Sequence, residues 1–223
     1  MVERLSFTAK VKIRKGLRFK VEDITRIGIY GGTFAPIHNG HVNAAKAFMD
    51  QMQLHYLFVI PTAITPDKMR DAGDDAEHRM KMCQLAFEGE VGVIVSDMEI
   101  ERGGISYTVD TLRSLAAEDR RLFMLVGTDM ALKLDQWREP AEIFKLCYPT
   151  YVRRESDKLL EKQMIEKNNK YLTEYGRICR RIMTNEIELS STQIRKMVKN
   201  GEDISHLVPQ KVADYIKEQG LYK

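Results

Sequence analysis

Short apolar runs alternate with stretches of helical spacing along most of the chain. Residues 27–30 and 56–61 are continuous apolar runs, which are typical of strands buried on both faces. Between them, residues 41–53 place apolar side chains at helical intervals: Val42, Ala45, Phe48, Met49 and Met52. This alternation predicts βα units joined by right-handed crossovers, and therefore an α/β fold with a parallel sheet.

The same alternation continues to the C-terminus. It predicts further strands at residues 91–95, 121–126, 150–152 and 178–183, and further helices at 76–87, 107–117, 129–135, 140–146, 191–199 and 209–218. We interpret the charged helical stretch at residues 157–175 as a surface insertion. The whole pattern predicts a Rossmann-like, doubly wound parallel sheet with helices on both faces, which would bind ligands at the carboxyl ends of its strands.

The N-terminal segment has a different pattern and a different charge. Apolar and polar residues alternate on both sides of Lys15-Gly16, which predicts a short β-hairpin with a glycine turn. Residues 1–26 carry eight basic and three acidic residues, so the chain's net charge of +3 leaves residues 27–223 at −2. We therefore divide the chain into a basic extension, 1–26, and a main domain, 27–223. The extension is either an accessory segment or a contact for RNA, an acidic partner or another subunit.

Composition limits the classes of partner and compartment. A net charge of +3 over the whole chain does not favour a nucleic acid partner, and it leaves homo-oligomer formation open. The three cysteines are far apart, without metal-ligand spacing, and their odd number fits a reducing compartment. We see no signal peptide and no apolar run long enough to span a bilayer, so we expect a cytoplasmic protein without a membrane partner.

A glycine-rich segment with two histidines follows the first predicted strand. It reads Gly31-Gly32-Thr33-Phe34-Ala35-Pro36-Ile37-His38-Asn39-Gly40-His41. The glycines let the backbone approach a ligand closely, and the histidines would face an anion held at the N-terminus of the next helix. Two histidines in this context predict a phosphate site rather than two unrelated structural side chains.

Further motifs follow at or near the ends of later predicted strands. They are a lysine-containing loop at residues 61–68, Arg102-Gly103-Gly104-Ile105-Ser106-Tyr107-Thr108, Gly127-Thr128-Asp129, Trp137, and Leu189-Ser190-Ser191-Thr192-Gln193-Ile194-Arg195. With the two histidines, this set resembles the HxGH nucleotidyltransferase superfamily. It is similar, over residues 27–223, to the bacterial nicotinate-nucleotide adenylyltransferases.

The resemblance implies an enzyme of NAD biosynthesis that transfers AMP from ATP to nicotinate mononucleotide, giving nicotinic acid adenine dinucleotide and pyrophosphate. Catalysis would rest on positioning and charge stabilisation, with the catalytic roles carried over to His38, His41, Lys68 and Arg195. The residues implied for ATP are Gly31, Gly32, Thr33, Phe34, Gly127, Asp129, Ser191, Thr192 and Ile194. Those implied for nicotinate mononucleotide are Thr108 and Trp137. Mg²⁺ is expected to be carried mainly by the ATP phosphates, without metal ligands from the protein.

Two positions depart from the family pattern. Ala35 stands where the family usually has Asp, and Asp67 stands where it usually has His before the loop lysine. We expect Ala35 to alter hydrogen bonding within its loop without removing the chemistry. A carboxylate near phosphates is unfavourable unless it points away or helps to hold the metal, so Asp67 changes what is expected of the 61–70 loop.

Three alternative functions remain open at this point. The first is a sibling transferase for nicotinamide mononucleotide or phosphopantetheine; the Ser-Tyr-Thr sequence with Trp137 argues against phosphopantetheine but not against the amide. The second is a non-catalytic nucleotide sensor, against which the two histidines and Arg195 argue. The third is an RNA-binding or interaction protein that depends on the basic extension, and deletion of residues 1–22 would discriminate it from the transferase.

Overall fold

Six parallel strands form the sheet at the centre of the protein, whose computed structural model describes residues 24–64, 75–152, 158–184 and 189–223. The strands are β1 Thr25–Gly32, β2 Tyr56–Pro61, β3 Val93–Val95, β4 Arg120–Gly127, β5 Cys147–Val152 and β6 Arg180–Ile182. Their order in the sheet is β3-β2-β1-β4-β5-β6. The predicted parallel sheet is confirmed. The predicted N-terminal hairpin, Asp67 and Lys68 lie outside the described residues.

The strand order reverses beside β1. The chain builds β2 and β3 to one side of β1 and then returns to add β4, β5 and β6 on the other side. Strands β1 and β4 are in register from Thr25–Arg120 to Ile29–Met124, so their carboxyl ends lie next to each other. The crevice outside the carboxyl ends at such a switch point is where open α/β sheets bind ligands.

Helices cover both faces of this sheet. They are α1 Asn39–Gln51, α2 Ala76–Ala86, α3 Met98–Arg102, α4 Thr108–Leu115, α5 Thr128–Ala131, α6 Pro140–Leu146, α7 Lys158–Tyr175, α8 Ser191–Lys199 and α9 Gln210–Glu218. On one face α1, α2, α8 and α9 share an apolar core, and on the other face α4, α6 and α7 share a second one. The doubly wound arrangement is therefore confirmed.

Helix α7 is part of the second core and not a surface insertion, which corrects the sequence-based interpretation. Met164 and Tyr171 are 1% and 0% exposed. The Tyr171 hydroxyl donates to the carbonyl oxygen of Ala131 at 2.7 Å, and its ring lies 4.9 Å from that of Phe144. Full burial of one such side chain is worth about 1.5–3 kcal/mol. The sequence pattern did not reveal this narrow apolar stripe because most residues of α7 are charged or polar.

Some local features differ from the prediction, and others had not been predicted. Strand β1 begins at Thr25, two residues before the strand start predicted at Ile27, and helix α3 was not predicted. All three cysteines are buried, and burial raises the pKa of each thiol, to about 12 for Cys147. Among the described helices none has the length and apolarity needed to cross a membrane.

Candidate active site

A cleft of about 890 Å³ lies at the carboxyl ends of β1 and β4. One end is formed by the glycine-rich loop after β1 together with α8, and the other by the start of α4 and the segment around Trp137. Most of the sequence-predicted site residues line it: Gly31, Gly32, Thr33, Phe34, His41, Thr108, Gly127, Asp129, Trp137, Ser191, Thr192 and Arg195. The fold thus brings together motifs that are up to 164 positions apart in the chain.

The glycine-rich loop has a tightly constrained backbone. A Cβ atom on Gly32 would lie 2.9 Å from the ring of Phe34, so no larger residue fits there without displacing that ring. Phe34 itself has a φ of 51°, a left-handed conformation that costs a non-glycine residue roughly 1–2 kcal/mol. Its ring is only 3% exposed and meets Tyr30 edge-on at 5.4 Å, and this packing offsets the cost.

Carbonyl oxygens of this loop are bonded to donors from other elements. Arg79 on α2 donates to the carbonyl of Thr33, and Arg195 on α8 donates to that of Ala35, both at 2.9 Å. The Ser191 hydroxyl donates to the carbonyl of Pro36, also at 2.9 Å. Carbonyl lone pairs would repel a phosphate, so engaging them elsewhere makes the loop a better anion site.

Helix α1 begins directly after this loop and carries both histidines at its start. His38 is the N-cap residue, and its backbone N–H donates to Nδ1 of His41 at 3.3 Å. Because Nδ1 of His41 accepts, the neutral ring carries its proton on Nε2, which makes Nε2 a donor. The two imidazoles stack with centroids 3.7 Å apart, and His38 is 2% exposed against 9% for His41. His41 lines the cleft, and His38 contacts it through the stacked ring of His41 and its own backbone N–H bond.

Helix α8 forms the opposite wall of this end. Ser190 caps it by accepting from the N–H of Gln193 at 3.2 Å, while the Gln193 side chain accepts from the N–H of Ser190 at 2.9 Å. This capping box leaves the first turn, with Ser191 and Thr192, facing the cleft. Ile194 differs from its neighbours, because its side chain is 0% exposed in the core and its N–H donates to the carbonyl of Ser190.

The other end of the cleft combines an aromatic wall with a helix start. Tyr107 is the N-cap residue of α4, and Thr108 is the first residue of this helix. Trp137 is half-buried and lines the cleft from the facing segment. The guanidinium of Arg138 lies 4.6 Å from the centroid of the Tyr107 ring and also lines the cleft. This end thus offers ring faces, helix N–H groups and one cation.

Ion pairs on either side hold the segment that carries Trp137. Asp135 accepts from Lys167 and Lys170 on α7, each at 2.8 Å. Although partial burial opposes ionisation, these two hydrogen bonds hold the pKa of Asp135 below its usual value. The carboxylate of Glu139 accepts hydrogen bonds from Nη1 and Nη2 of Arg113 on α4. These bonds lower the pKa of Glu139. The position of Trp137 is therefore set by contacts to two different helices.

Sequence reasoning missed several residues at this site. Arg79 is 3% exposed on a helix face whose apolar members are Met82 and Cys83, and an arginine in such a row is the signal that could have found it. Glu99 on α3 is 5% exposed and accepts from the hydroxyl of Thr111 at 2.6 Å. Both Glu99 and Thr111 line the cleft. Glu99 could not be found from the sequence, because the helix that carries it, α3, was not predicted.

Ser106 links the two ends of the cleft through the segment after β2. Its hydroxyl accepts from the N–H of Ala63 at 3.0 Å, and its own N–H donates to the carbonyl of Ile64 at 2.9 Å. The neighbouring N–H of Thr62 donates to the carbonyl of Gly32 at 3.0 Å. We call Thr62, Ala63 and Ile64 the bridging segment, since they bond to the glycine-rich loop on one side and to the α4 approach on the other.

Comparison with known proteins gives the family. The cytidylyltransferase-like family matches residues 29–197. The chain is 36% identical over 215 residues to a protein from Desulfatibacillum aliphaticivorans named "Probable nicotinate-nucleotide adenylyltransferase", covering 88% of this chain and 99% of the relative. A protein of the same name from Geobacter sp. (strain M21) is also 36% identical, with 88% and 98% covered. The chain belongs to the nicotinate-nucleotide adenylyltransferase family of nucleotidyltransferases.

Solved structures agree with this at the level of the fold. Plasmodium falciparum nicotinic acid mononucleotide adenylyltransferase complexed with NaAD superposes with a TM-score of 0.68 at 19% identity, covering 89% of this chain and 97% of that one. The same protein complexed with APC gives a TM-score of 0.66 at 18% identity. This nucleotidyltransferase therefore has the Rossmann-like fold that the sequence predicted.

Proposed function

We propose that this nucleotidyltransferase transfers the adenylyl group of ATP to nicotinate mononucleotide, forming nicotinic acid adenine dinucleotide and releasing pyrophosphate. The observation that carries the proposal is a single cleft with His41 and Arg195 at one end and Thr108 with Trp137 at the other. The reaction needs two nucleotides side by side, and a cleft of about 890 Å³ lies within the usual range for such ligand sites.

The reaction is an in-line displacement at phosphorus. A phosphate oxygen of the mononucleotide forms a bond to the α-phosphorus of ATP, and the bond from that phosphorus to the bridging oxygen breaks. Pyrophosphate leaves with the electron pair. The protein contributes position and charge stabilisation rather than a covalent intermediate.

At the phosphate end, His41 donates from Nε2 to an oxygen of the α-phosphate as negative charge develops there. His38 keeps this ring in place through its backbone N–H and by stacking on it. Arg195 contributes its positive charge near the leaving phosphates, and the first turn of α8 adds donors from Ser191 and Thr192. Lys68, outside the described residues, is assigned the same charge-neutralising role.

The remaining ATP contacts come from the backbone of Gly31 to Phe34 and from Gly127, with Asp129 accepting from a ribose hydroxyl. Ile194 contributes only by anchoring α8, because its side chain and its N–H are engaged within the protein. Mg²⁺ enters with the substrate on the ATP phosphates, because this ion keeps several of its waters and is commonly held by substrate phosphates with few protein ligands.

At the other end, Trp137 stacks on the pyridine ring and the first N–H groups of α4, with the Thr108 hydroxyl, receive the nicotinate carboxylate. Arg138 adds a positive charge at the same end, which favours the acid over the neutral amide.

The deciding assay follows pyrophosphate release with ATP and each acceptor in turn. We expect faster turnover with nicotinate mononucleotide than with nicotinamide mononucleotide, and none with phosphopantetheine. A preference for the amide would overturn the proposed acceptor while leaving adenylyl transfer intact. Absence of pyrophosphate with every acceptor would support a nucleotide sensor instead.

A further inference from the structure

A diagonal group of arginines runs across the sheet, from the amino-terminal ends of β1 and β4 to the first residue of β6. In the sheet register Arg26 aligns with Arg121, Phe123 aligns with Tyr148, and Arg180 aligns with Thr150. Aligned residues of parallel strands project from the same face, and every second residue along a strand returns to it. One face therefore carries a continuous group, here called the arginine strip: Arg26, Arg121, Phe123, Tyr148, Arg180, and Arg177, which reaches the group from the loop before β6.

Aromatic rings hold the guanidinium groups of the strip. Arg26 lies 4.4 Å from the centroid of the Phe123 ring, and Arg177 lies 4.2 Å from that of Tyr148. Arg121 lies 5.8 Å from the Tyr148 centroid. Arg26 also donates through Nε and Nη2 to the carbonyl of Met52, at 2.9 and 2.8 Å. Groups already fixed in this way lose less freedom when they bind a ligand.

The strip has positive charge without matching negative charge. Across the described ranges, no carboxylate forms an ion pair with Arg26, Arg121, Arg177 or Arg180. The nearby acids contact other arginines: Asp119 contacts Arg120 at 3.9 Å and Glu161 contacts Arg181 at 3.6 Å. Burial, followed by repulsion from Arg121 and Arg180, lowers the pKa of Arg26. Such crowding is relieved when an anion binds.

The chain's own N-terminal segment has the wrong charge to be that anion. Residues 1–25 carry seven basic and three acidic residues, so their net charge has the same sign as the strip, whose Arg26 follows them directly in the chain. The occupant must therefore come from outside the segment and be strongly anionic.

The shape of the strip favours a phosphate backbone. Both aromatic rings are covered by guanidinium groups, so the surface presents charge rather than pockets for side chains or bases. Strands lie about 4.8 Å apart, so β1, β4, β5 and β6 span about 14 Å across the sheet. The four-residue offset between Arg121 and the level of Arg180 adds about 13 Å along the strands, which leaves room for successive phosphates of one nucleic acid strand. Guanidinium groups also match phosphate geometry with paired donors.

We propose that the arginine strip binds the phosphate backbone of single-stranded nucleic acid, without sequence preference and independently of the cleft. This goes beyond the proposed adenylyl transfer, because no residue of the strip lines the cleft. The net charge of the whole chain did not favour a nucleic acid partner, because acidic residues elsewhere offset the positive charge of the strip.

The test measures binding of a fluorescent 20-residue oligouridylate to the full-length protein as salt is varied. The logarithm of the binding constant should fall linearly with the logarithm of salt concentration, by about 0.7 for each phosphate contacted. Arg121→Gln and Arg180→Gln should each reduce that slope by about 0.7 and weaken binding in 0.05 M salt by roughly eightfold. A deoxyribose oligomer of the same length should behave alike.

Two controls make the result decisive. Lys211→Gln removes an exposed cation that is paired with Glu88 at 2.6 Å on another surface, and it should leave binding and its salt dependence unchanged. Adenylyl transfer should be unchanged in all three variants, which shows that each is folded. The proposal is overturned if the oligomer does not bind, or if Arg121→Gln and Arg180→Gln bind it as the parent does. Strip-dependent binding of phosphatidylglycerol vesicles or polyglutamate, with none of the oligomer, would equally overturn it.

Discussion

The two ends of the cleft differ in how deeply their side chains are buried and in the contacts that hold them. At the phosphate end the functional groups are buried and held by the backbone: His41 is 9% exposed, Arg79 is 3% exposed, and the loop carbonyls of Thr33 and Ala35 are bonded. At the end with Thr108 and Trp137, here called the acceptor end, half-buried Trp137 is held by ion pairs with exposed cations, Arg113 with Glu139 and Lys170 with Asp135.

This difference separates two kinds of function. Buried groups with fixed partners are suited to stabilising charge in a transition state, because little reorganisation is needed when the charge appears. Half-buried rings and screened ion pairs are suited to selecting a ligand, where each contact is worth a modest amount. Changes at the phosphate end should therefore act on the rate, and changes at the acceptor end should act on affinity.

The largest effect is expected for His41→Ala. The change removes the donor assigned to the α-phosphate, so kcat should fall by on the order of 10²-fold or more. Steady-state pyrophosphate release at saturating substrates measures this. His78→Ala is the matched control, because His78 bonds the hydroxyl of Tyr215 at 2.8 Å and does not line the cleft. An undiminished kcat in His41→Ala would refute the assigned role.

An intermediate effect is expected for Arg79→Met, which removes a buried donor from the carbonyl of Thr33. A lost hydrogen bond from a charged group costs about 1.5–3 kcal/mol, so urea unfolding should show reduced stability. The loosened loop should also lower kcat/KM for ATP by on the order of tenfold. Arg79→Lys keeps the charge and should recover part of both. A stability loss with normal kcat/KM would mean that Arg79 serves folding alone.

The smallest effect is expected for Trp137→Ala at the acceptor end. Loss of ring stacking worth about 0.5–1.5 kcal/mol should raise KM for nicotinate mononucleotide by roughly two- to tenfold and leave KM for ATP nearly unchanged. Trp137→Phe retains a ring and should fall between the two proteins. If both KM values rise together, Trp137 holds the cleft wall and does not touch the acceptor.

The fold could be predicted from the sequence because βα units produce a strong local pattern of apolar residues. Strand β2 has the same bounds, 56–61, as its apolar run, and helix α6 matches the predicted 140–146. The two histidines were found for the same reason, since both lie in one short segment after a buried strand.

What the sequence could not give depends on contacts between distant residues. Arg79 reaches the carbonyl of Thr33 across 46 positions, and Ser106 meets Ala63 across 43. In each bond one of the two groups belongs to the main chain, so the residue types alone do not predict the contact. The arginine strip depends likewise on the register of four strands, and Tyr171 on a stripe of α7 among many charges. These features appear only when the chain is folded.

The bridging segment has a consequence for how such an enzyme tolerates change. Thr62, Ala63 and Ile64 join the two substrate loops through bonds made almost entirely by main-chain atoms. The distance between the two ends of the cleft is then set mainly by the backbone. Substitutions at side chains that line the cleft, such as Ala35, leave these bonds in place, because only Ser106 contributes a side-chain atom to them.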